Sequence, residues 1–175
     1  MRKMLDKEFF DRPATAVAKD LLGKYLISPE GSHMITETEA YVGPQDKACH
    51  SYKGRTARTE PMYDEPGTIY IYFTYGMHYM LNFVTGAKDY PAAVLIRGVE
   101  GIVGPGRLTK ALQIDKRFNH RPLRRITGLW VEDRGVIIRP REVLRTPRIG
   151  IDYAGEWKDK PYRFVLKKKD GRSRP

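Results

Sequence analysis

The stretch from residue 68 to residue 99 leaves this chain little freedom, because it holds three β-type runs joined only by turns. Residues 68–74 carry Ile69, Tyr70, Ile71, Tyr72 and Phe73, and residues 78–84 are β-type again. Tyr75-Gly76-Met77 lies between them, so the two runs should close a hairpin with Tyr75 near its tip. After a turn over residues 85–91, the apolar run 92–99 reads as a central strand. An earlier hairpin is expected from strands at 24–27 and 33–41 around the turn Pro29-Glu30-Gly31-Ser32. Later short strands are expected near 129–131, 135–139 and 163–166.

Helices punctuate this pattern. Ala14, Val17, Ala18, Leu21 and Leu22 follow a helical period, with Asp11 as the expected cap, Pro13 in the first turn and Gly23 as the stop. A turn over residues 101–106 leads into a second helix from Arg107, carrying Leu108, Ala111 and Leu112. The class is α+β in one domain, since 175 residues match about one domain at roughly 150 residues each. The domain should span residues 1–166, with 167–175 a basic, frayed tail. Leu, Ile, Val and Phe number 40, enough for one core.

A single cysteine, Cys49, rules out an internal disulfide or a cysteine-based zinc finger and suits a reducing cytosol. No apolar run nears the roughly 18 residues of a membrane span, and the first residues lack the apolar stretch of a signal peptide. A cytoplasmic protein without a membrane partner is expected. The net charge is +11, and it is unevenly placed: residues 1–96 carry −1 and residues 97–175 carry +12. Such a face attracts polyanions, nucleic acid first and an anionic membrane surface second.

Strand alternation puts Glu37, Glu39 and Tyr41 on one face. Acids form strands poorly, so on an inner strand they must meet cations, water or substrate; on an outer face they are ordinary surface acids. Arg97, within the next apolar run, either pairs with Glu37 or Glu39 or ends its strand and points outward. Asn82 is likewise a polar group in an apolar run. His50, in the long aperiodic segment 42–67, is either a ligand contact or a structural residue. Glu37, Glu39, Asp46 and His50 also admit a divalent-metal reading, although no metal motif is matched. Tyr70 and Phe73 read as packing residues, whereas Tyr75 at a turn suits a wedge between bases. The helix entry Gly104-Pro105-Gly106, followed by Arg107 and Lys110, offers N–H groups and cations to a phosphate.

Eight stretches in order resemble the alkyladenine (3-methyladenine) DNA glycosylases of the alkylpurine type. They include Thr36-Glu37-Thr38-Glu39-Ala40-Tyr41-Val42-Gly43-Pro44, Ala48-Cys49-His50-Ser51, Tyr75-Gly76-Met77, Val94-Leu95-Ile96-Arg97, Gly104-Pro105-Gly106-Arg107-Leu108 and Arg148-Ile149-Gly150-Ile151. The resemblance implies a curved antiparallel sheet core with flanking helices and a protruding hairpin. It implies that Glu39 is the general base, and that Arg97 and the main-chain carbonyl of Ile149 hold the attacking water. Tyr41, His50, Tyr72 and Asn82 would line the base pocket, with Asn82 excluding the exocyclic amine of guanine. Tyr75, with Met77 beside it, would be the wedge, and Arg107 and Lys110 would meet phosphates.

The implied activity is monofunctional hydrolysis of the N-glycosidic bond of a damaged purine flipped from double-stranded DNA, by a monomer associated with the nucleoid when bound. The lesion class would be 3-methyladenine, 7-methylguanine, hypoxanthine and ethenoadenine. No metal or organic cofactor is implied, and no lysine stands at a matched pocket position to form a Schiff base. Two rivals remain at this point: a non-catalytic nucleic-acid binder, and a metal-dependent nuclease.

Overall fold

The computed structural model describes residues 2–167. The chain enters through β1 (Lys3–Met4), a one-turn helix α1 (Lys7–Phe10) and helix α2 (Ala14–Asp20). Asp6 caps α1 by accepting the Phe9 N–H at 3.3 Å. Asp11 does not cap α2, as its sequence position suggests; it closes α1, its N–H donating to Lys7 O at 2.9 Å. Pro13 stands just ahead of the first turn rather than in it, as the N-cap of α2. Its ring fixes φ and disfavours helical backbone at Arg12, so the helical stretch divides in two at this point.

The hairpin β2 (Tyr25–Ser28) and β3 (Gly31–Tyr41) follows, then two 3₁₀ turns at His50–Lys53 and Glu60–Tyr63 inside the long segment. Next come β4 (Ile69–Thr74), β5 (His78–Thr85), β6 (Ala92–Val99), β7 (Ile102–Val103) and α3 (Pro105–Ala111). The helix expected from Arg107 therefore begins two residues earlier, at Pro105, a residue suited to a first helical position. The chain finishes with β8 (Trp130–Asp133), β9 (Val143–Thr146) and β10 (Arg163–Leu166). The strand expected at 135–139 is absent: that segment has no ladder partner, and the pairing falls instead on β9, which meets β10. Apart from Lys167, whose N–H donates to Glu142 O at 2.8 Å, the basic tail lies outside the described residues.

All strand pairs are antiparallel, in the order β1-β8-β2-β3-β6-β5-β4, and the sheet curves into a half-barrel. Strand β3 is its spine. β6 runs along one edge of β3, while β2 and then β10 share the other. Two register shifts between Ile35 and Thr38 place a bulge at Glu37.

Alternation along the central strands sorts residues onto two faces. Thr38 and Ala40 of β3, Val94 and Ile96 of β6, Leu81 and Phe83 of β5, and Ile69 and Ile71 of β4 are buried; the apolar ones form the main core with Val17, Ala18 and Leu21. Thr38 Oγ1 fastens the sheet to α2 by donating to Ala18 O at 2.8 Å. The opposite phase of the same strands carries the polar and aromatic residues singled out in the sequence.

Candidate active site

The phase opposite the core opens on a cavity of about 330 Å³, within the size range of small-molecule pockets, roughly 300–1,000 Å³. Tyr41, Tyr70, Tyr72, Asn82, Leu95 and Arg97 line it from the sheet. His50 comes from the long segment, Ile149 to Ile151 and Tyr153 from the segment after β9, and Tyr75 from the hairpin tip. Sequence position alone scatters these residues over more than a hundred positions; strand phase and two loops bring them to one place.

Glu39 sits directly behind this wall and has no solvent exposure. Its Oε2 accepts the Tyr41 hydroxyl at 3.0 Å, and its Oε1 accepts the Ile149 N–H at 2.9 Å. Arg97 Nε stands 3.4 Å from the same Oε1. All three contacting residues line the cavity, whereas Glu39 itself stands one layer behind them. The reading of Glu37 and Glu39 as surface acids is thereby overturned: both are buried, and Arg97 turns inward to pair with them. Ile149 was expected through its carbonyl; the contact observed is from its amide.

Burial pushes the Glu39 carboxyl above the ordinary carboxylate range, because desolvation outweighs the opposing pull of Arg97, the Ile149 amide and the Tyr41 hydroxyl. For Arg97, burial disfavours the charge, but Glu39 and Glu37 overcome it and hold the guanidinium protonated. The Tyr41 and Tyr72 hydroxyls are pushed up chiefly by burial and then by Glu39, the latter to about 12, so both stay protonated as donors. The His50 pKa falls to about 4, through burial and then the nearby Arg58 cation. Its neutral ring meets Tyr70 Oη through Nδ1 at 2.9 Å and packs edge-on against Tyr72, centroids 4.4 Å apart. One ring nitrogen donates and the other accepts, so the role Nδ1 takes toward the hydroxyl fixes what Nε2 offers the cavity. Asn82 Nδ2 spends its hydrogens on Tyr70 O and Met80 O, both at 3.2 Å, leaving the side-chain oxygen for a ligand.

The hairpin tip is apolar and outward. Tyr75 is 82% exposed with φ +51, a left-handed conformation at the turn, and stands at the rim of the cavity; Met77 and Phe73 are exposed beside it. Phe73 is therefore not a core residue as its strand position suggested; it packs on Tyr79 at 4.9 Å on the outer side of the ribbon. Arg107 and Lys110 do not enter the cavity. They are exposed on α3, which is seated under the hairpin by Gly106 against His78 and by Thr109 Oγ1 donating to Tyr79 O at 2.8 Å. A side chain at Gly106 would bring its Cβ within 2.6 Å of the His78 ring.

Four residues escaped the sequence reading. Asp46, considered only as a metal ligand, is fully buried and paired with Arg148, whose Nη2 donates to Oδ1 at 2.9 Å. The Arg148 guanidinium also lies 4.8 Å from the Tyr41 ring centroid. Arg58 stacks over Tyr72 at 5.3 Å, and Tyr153 adds an exposed ring to the cavity wall. Only the residue types carried a signal: the Asp46–Arg148 pair spans 102 positions, and Arg58 and Tyr153 lie in segments without strand alternation. Among the described residues no cluster of three His, Cys, Asp or Glu is placed to hold a metal ion. No described helix is long and apolar enough to cross a membrane.

Comparison with known proteins agrees with the resemblance in the sequence. The family described as Methylpurine-DNA glycosylase (MPG) matches over residues 8–104 and 100–170. A protein of Methanocella arvoryzae is 42% identical, covering 94% of this chain and 92% of its own length. One from Myxococcus xanthus is 44% identical over 93% of this chain and 90% of its own length. One from Legionella pneumophila strain Lens is 43% identical over 95% and 96%. Each of the three is named "Putative 3-methyladenine DNA glycosylase".

Proposed function

The chain belongs to the methylpurine-DNA glycosylase family, and from that premise we propose that it is a DNA glycosylase which flips damaged purines out of duplex DNA and hydrolyses their N-glycosidic bond with an activated water. The observation that carries this reading is the carboxylate of Glu39, buried behind a purine-sized aromatic cavity and held by Tyr41, Arg97 and the Ile149 amide.

A base inside a duplex is beyond reach of any side chain, so it must leave the stack, at a cost of a few kcal/mol that falls when pairing is already weak. Tyr75, with Met77 beside it, fills the gap. Arg107 and Lys110 hold phosphates beside the same hairpin, and the charge of the C-terminal half supplies affinity without sequence preference. The extruded base enters between the rings of Tyr41, His50 and Tyr72. Asn82 limits what fits: its two bonds to main-chain carbonyls fix the amide in place, so it fills the space that the exocyclic amine of guanine would need and cannot move back to accept it.

The bond then breaks through a sugar with cationic character. Glu39 as an anion stabilises that charge and takes the proton of the attacking water, which Arg97 and the Ile149 main chain orient. Each Glu39 oxygen keeps a lone pair beyond its hydrogen bond, so it can accept this proton without losing its supports. The purine leaves with the bonding electron pair and the sugar gains hydroxyl, leaving an abasic site and an uncut strand. Cationic methylpurines leave readily; the neutral lesions, hypoxanthine and ethenoadenine, need a proton at the base. The enzyme acts as a monomer on double-stranded DNA, without metal or organic cofactor, in the cytoplasm and on the nucleoid.

The test is incubation with duplexes carrying one methylated or deaminated purine, with and without chelator, scoring free base and strand breaks separately. Free base without breaks, unaffected by chelator and lost in Glu39→Gln while abasic-duplex binding persists, is the expected result. Breaks that vanish with chelator, or base release undiminished in Glu39→Gln, overturn the reading.

A further inference from the structure

Glu37 has no part in the chemistry above, yet the fold makes unusual provision for it. It sits on the β3 bulge, 5% exposed, on the same side as Glu39. Opposite it in β6 is Gly98, where a Cβ would come within 3.3 Å of the Glu37 Cβ. One oxygen, Oε1, accepts from two guanidinium groups: Arg97 Nε at 2.8 Å and Arg163 Nε at 2.7 Å. Arg163 is fixed in turn by donating to Thr146 Oγ1 at 3.2 Å. A buried carboxylate costs free energy unless its partners restore what water gave, and here two cations on one oxygen do so.

The consequence lies in how Arg97 is shared. Its Nε is 2.8 Å from Glu37 but 3.4 Å from Glu39. We propose that Glu37 is a positioning residue, a second carboxylate that draws Arg97 away from Glu39 and so leaves Glu39 basic and Arg97 able to orient water. Without that competitor Arg97 closes onto Glu39. The direct pair makes Glu39 a weaker base and engages the guanidinium.

The groups facing Glu39 are Glu37 and Tyr41 on its own strand, Arg97 from β6, Tyr72 from β4, Arg163 from β10 through Glu37, and Arg148 with the Ile149 amide from the segment after β9. Removing the Glu37 charge acts on Glu39 twice in one direction. It deletes a like charge, and it brings a cation nearer. Both effects favour ionised Glu39.

The inference rests on Glu39 being the base, and Glu39→Gln tests that separately. With a cationic 7-methylguanine duplex under single-turnover conditions, Glu37→Gln is expected to lower the plateau rate at least tenfold and to move the acid limb of the pH profile to lower pH. Abasic-duplex affinity should stay within twofold. Glu37→Asp, which keeps the charge, should recover much of the rate and return the limb toward wild type. A Glu37→Gln rate and limb equal to wild type, or a rate loss with an unmoved limb and no recovery in Glu37→Asp, overturns the proposal. If Glu37→Gln does not fold, Glu37→Asp decides alone, since its shorter side chain keeps the charge but cannot hold Arg97 at 2.8 Å: a partial fall in rate with the limb part of the way to lower pH supports the proposal, and a partial fall with the limb at or above its wild-type position overturns it. Should Glu39→Gln still release base, the reading of Glu39 fails, whatever Glu37 does.

Discussion

The Asp46 carboxylate and the Arg148 guanidinium form an ion pair in which neither side chain has any solvent exposure. The pair ties the segment after β3 to the segment after β9. Asp46 also accepts the Val42 and Ala48 N–H groups at 3.2 and 3.0 Å, and Arg148 donates to Ala40 O at 2.9 Å. Removing one partner strands the other charge in a dry environment. Asp46→Ala is expected to lower the unfolding free energy by about 3–5 kcal/mol, measured by urea denaturation. A loss below about 1 kcal/mol would show that water reaches Arg148.

The pH dependence of base release should follow Glu39. Its carboxyl is held above the ordinary range, so the proton stays on to higher pH than on a free glutamate. On a cationic methylpurine, which needs no protonation, the rate is expected to rise with pH through that raised pKa. His50 titrates only near pH 4, so no separate step should appear between pH 5 and 8. A limb centred at the pKa of free glutamate, about 4.3, would contradict the burial argument.

Stability should move oppositely. A carboxyl whose folded pKa exceeds its unfolded value contributes stability in full below the unfolded pKa, and that contribution is lost as pH rises through the folded pKa. At neutral pH ionised Glu39 therefore works against the fold, and Glu39→Gln is expected to melt above wild type by calorimetry at pH 7. The gap should narrow as the sample is acidified.

Tyr75 touches nothing that stability needs. Tyr75→Ala is expected to change the unfolding free energy by less than about 0.5 kcal/mol. Base release from duplex should fall about tenfold or more, the scale of one lost base–aromatic stack. The same lesion in single-stranded DNA, where no gap must be filled, should show a much smaller loss.

Asn82 offers a check on selection by shape. Asn82→Ala frees space at the cavity wall and strips the Tyr70 and Met80 carbonyls of their donor. Release of 7-methylguanine is expected to rise several-fold relative to 3-methyladenine, read by chromatography of free bases. An unchanged ratio would remove Asn82 from the specificity wall.

The sequence made the sheet and much of the site legible because both rest on local rules. Period-two alternation put Glu39 and Tyr41 on one face, and the structure joins them by a hydrogen bond at 3.0 Å. The turn at Tyr75-Gly76-Met77 located the hairpin tip for the same reason. What escaped depends on distant partners. Nothing near Asp46 announces Arg148, 102 positions away, and β9 was missed because its residues become a strand only against β10. Residues 135–139 erred the other way: β-type side chains without a neighbouring edge make no ladder. Phe73 shows the limit of composition, since an aromatic in a strand fills a core only if that stretch of strand has one to face.

The hairpin that carries Tyr75 is braced from below by α3, through Gly106 on His78 and Thr109 on the Tyr79 carbonyl. The backbone that presents Tyr75 is thus held in place by the body of the protein. In the reading given above, a molecule travelling along a duplex would present the same rigid probe to every step it passes. Which steps yield would be decided by the softness of the helix at that point, and the chemistry of the base would be consulted only afterwards.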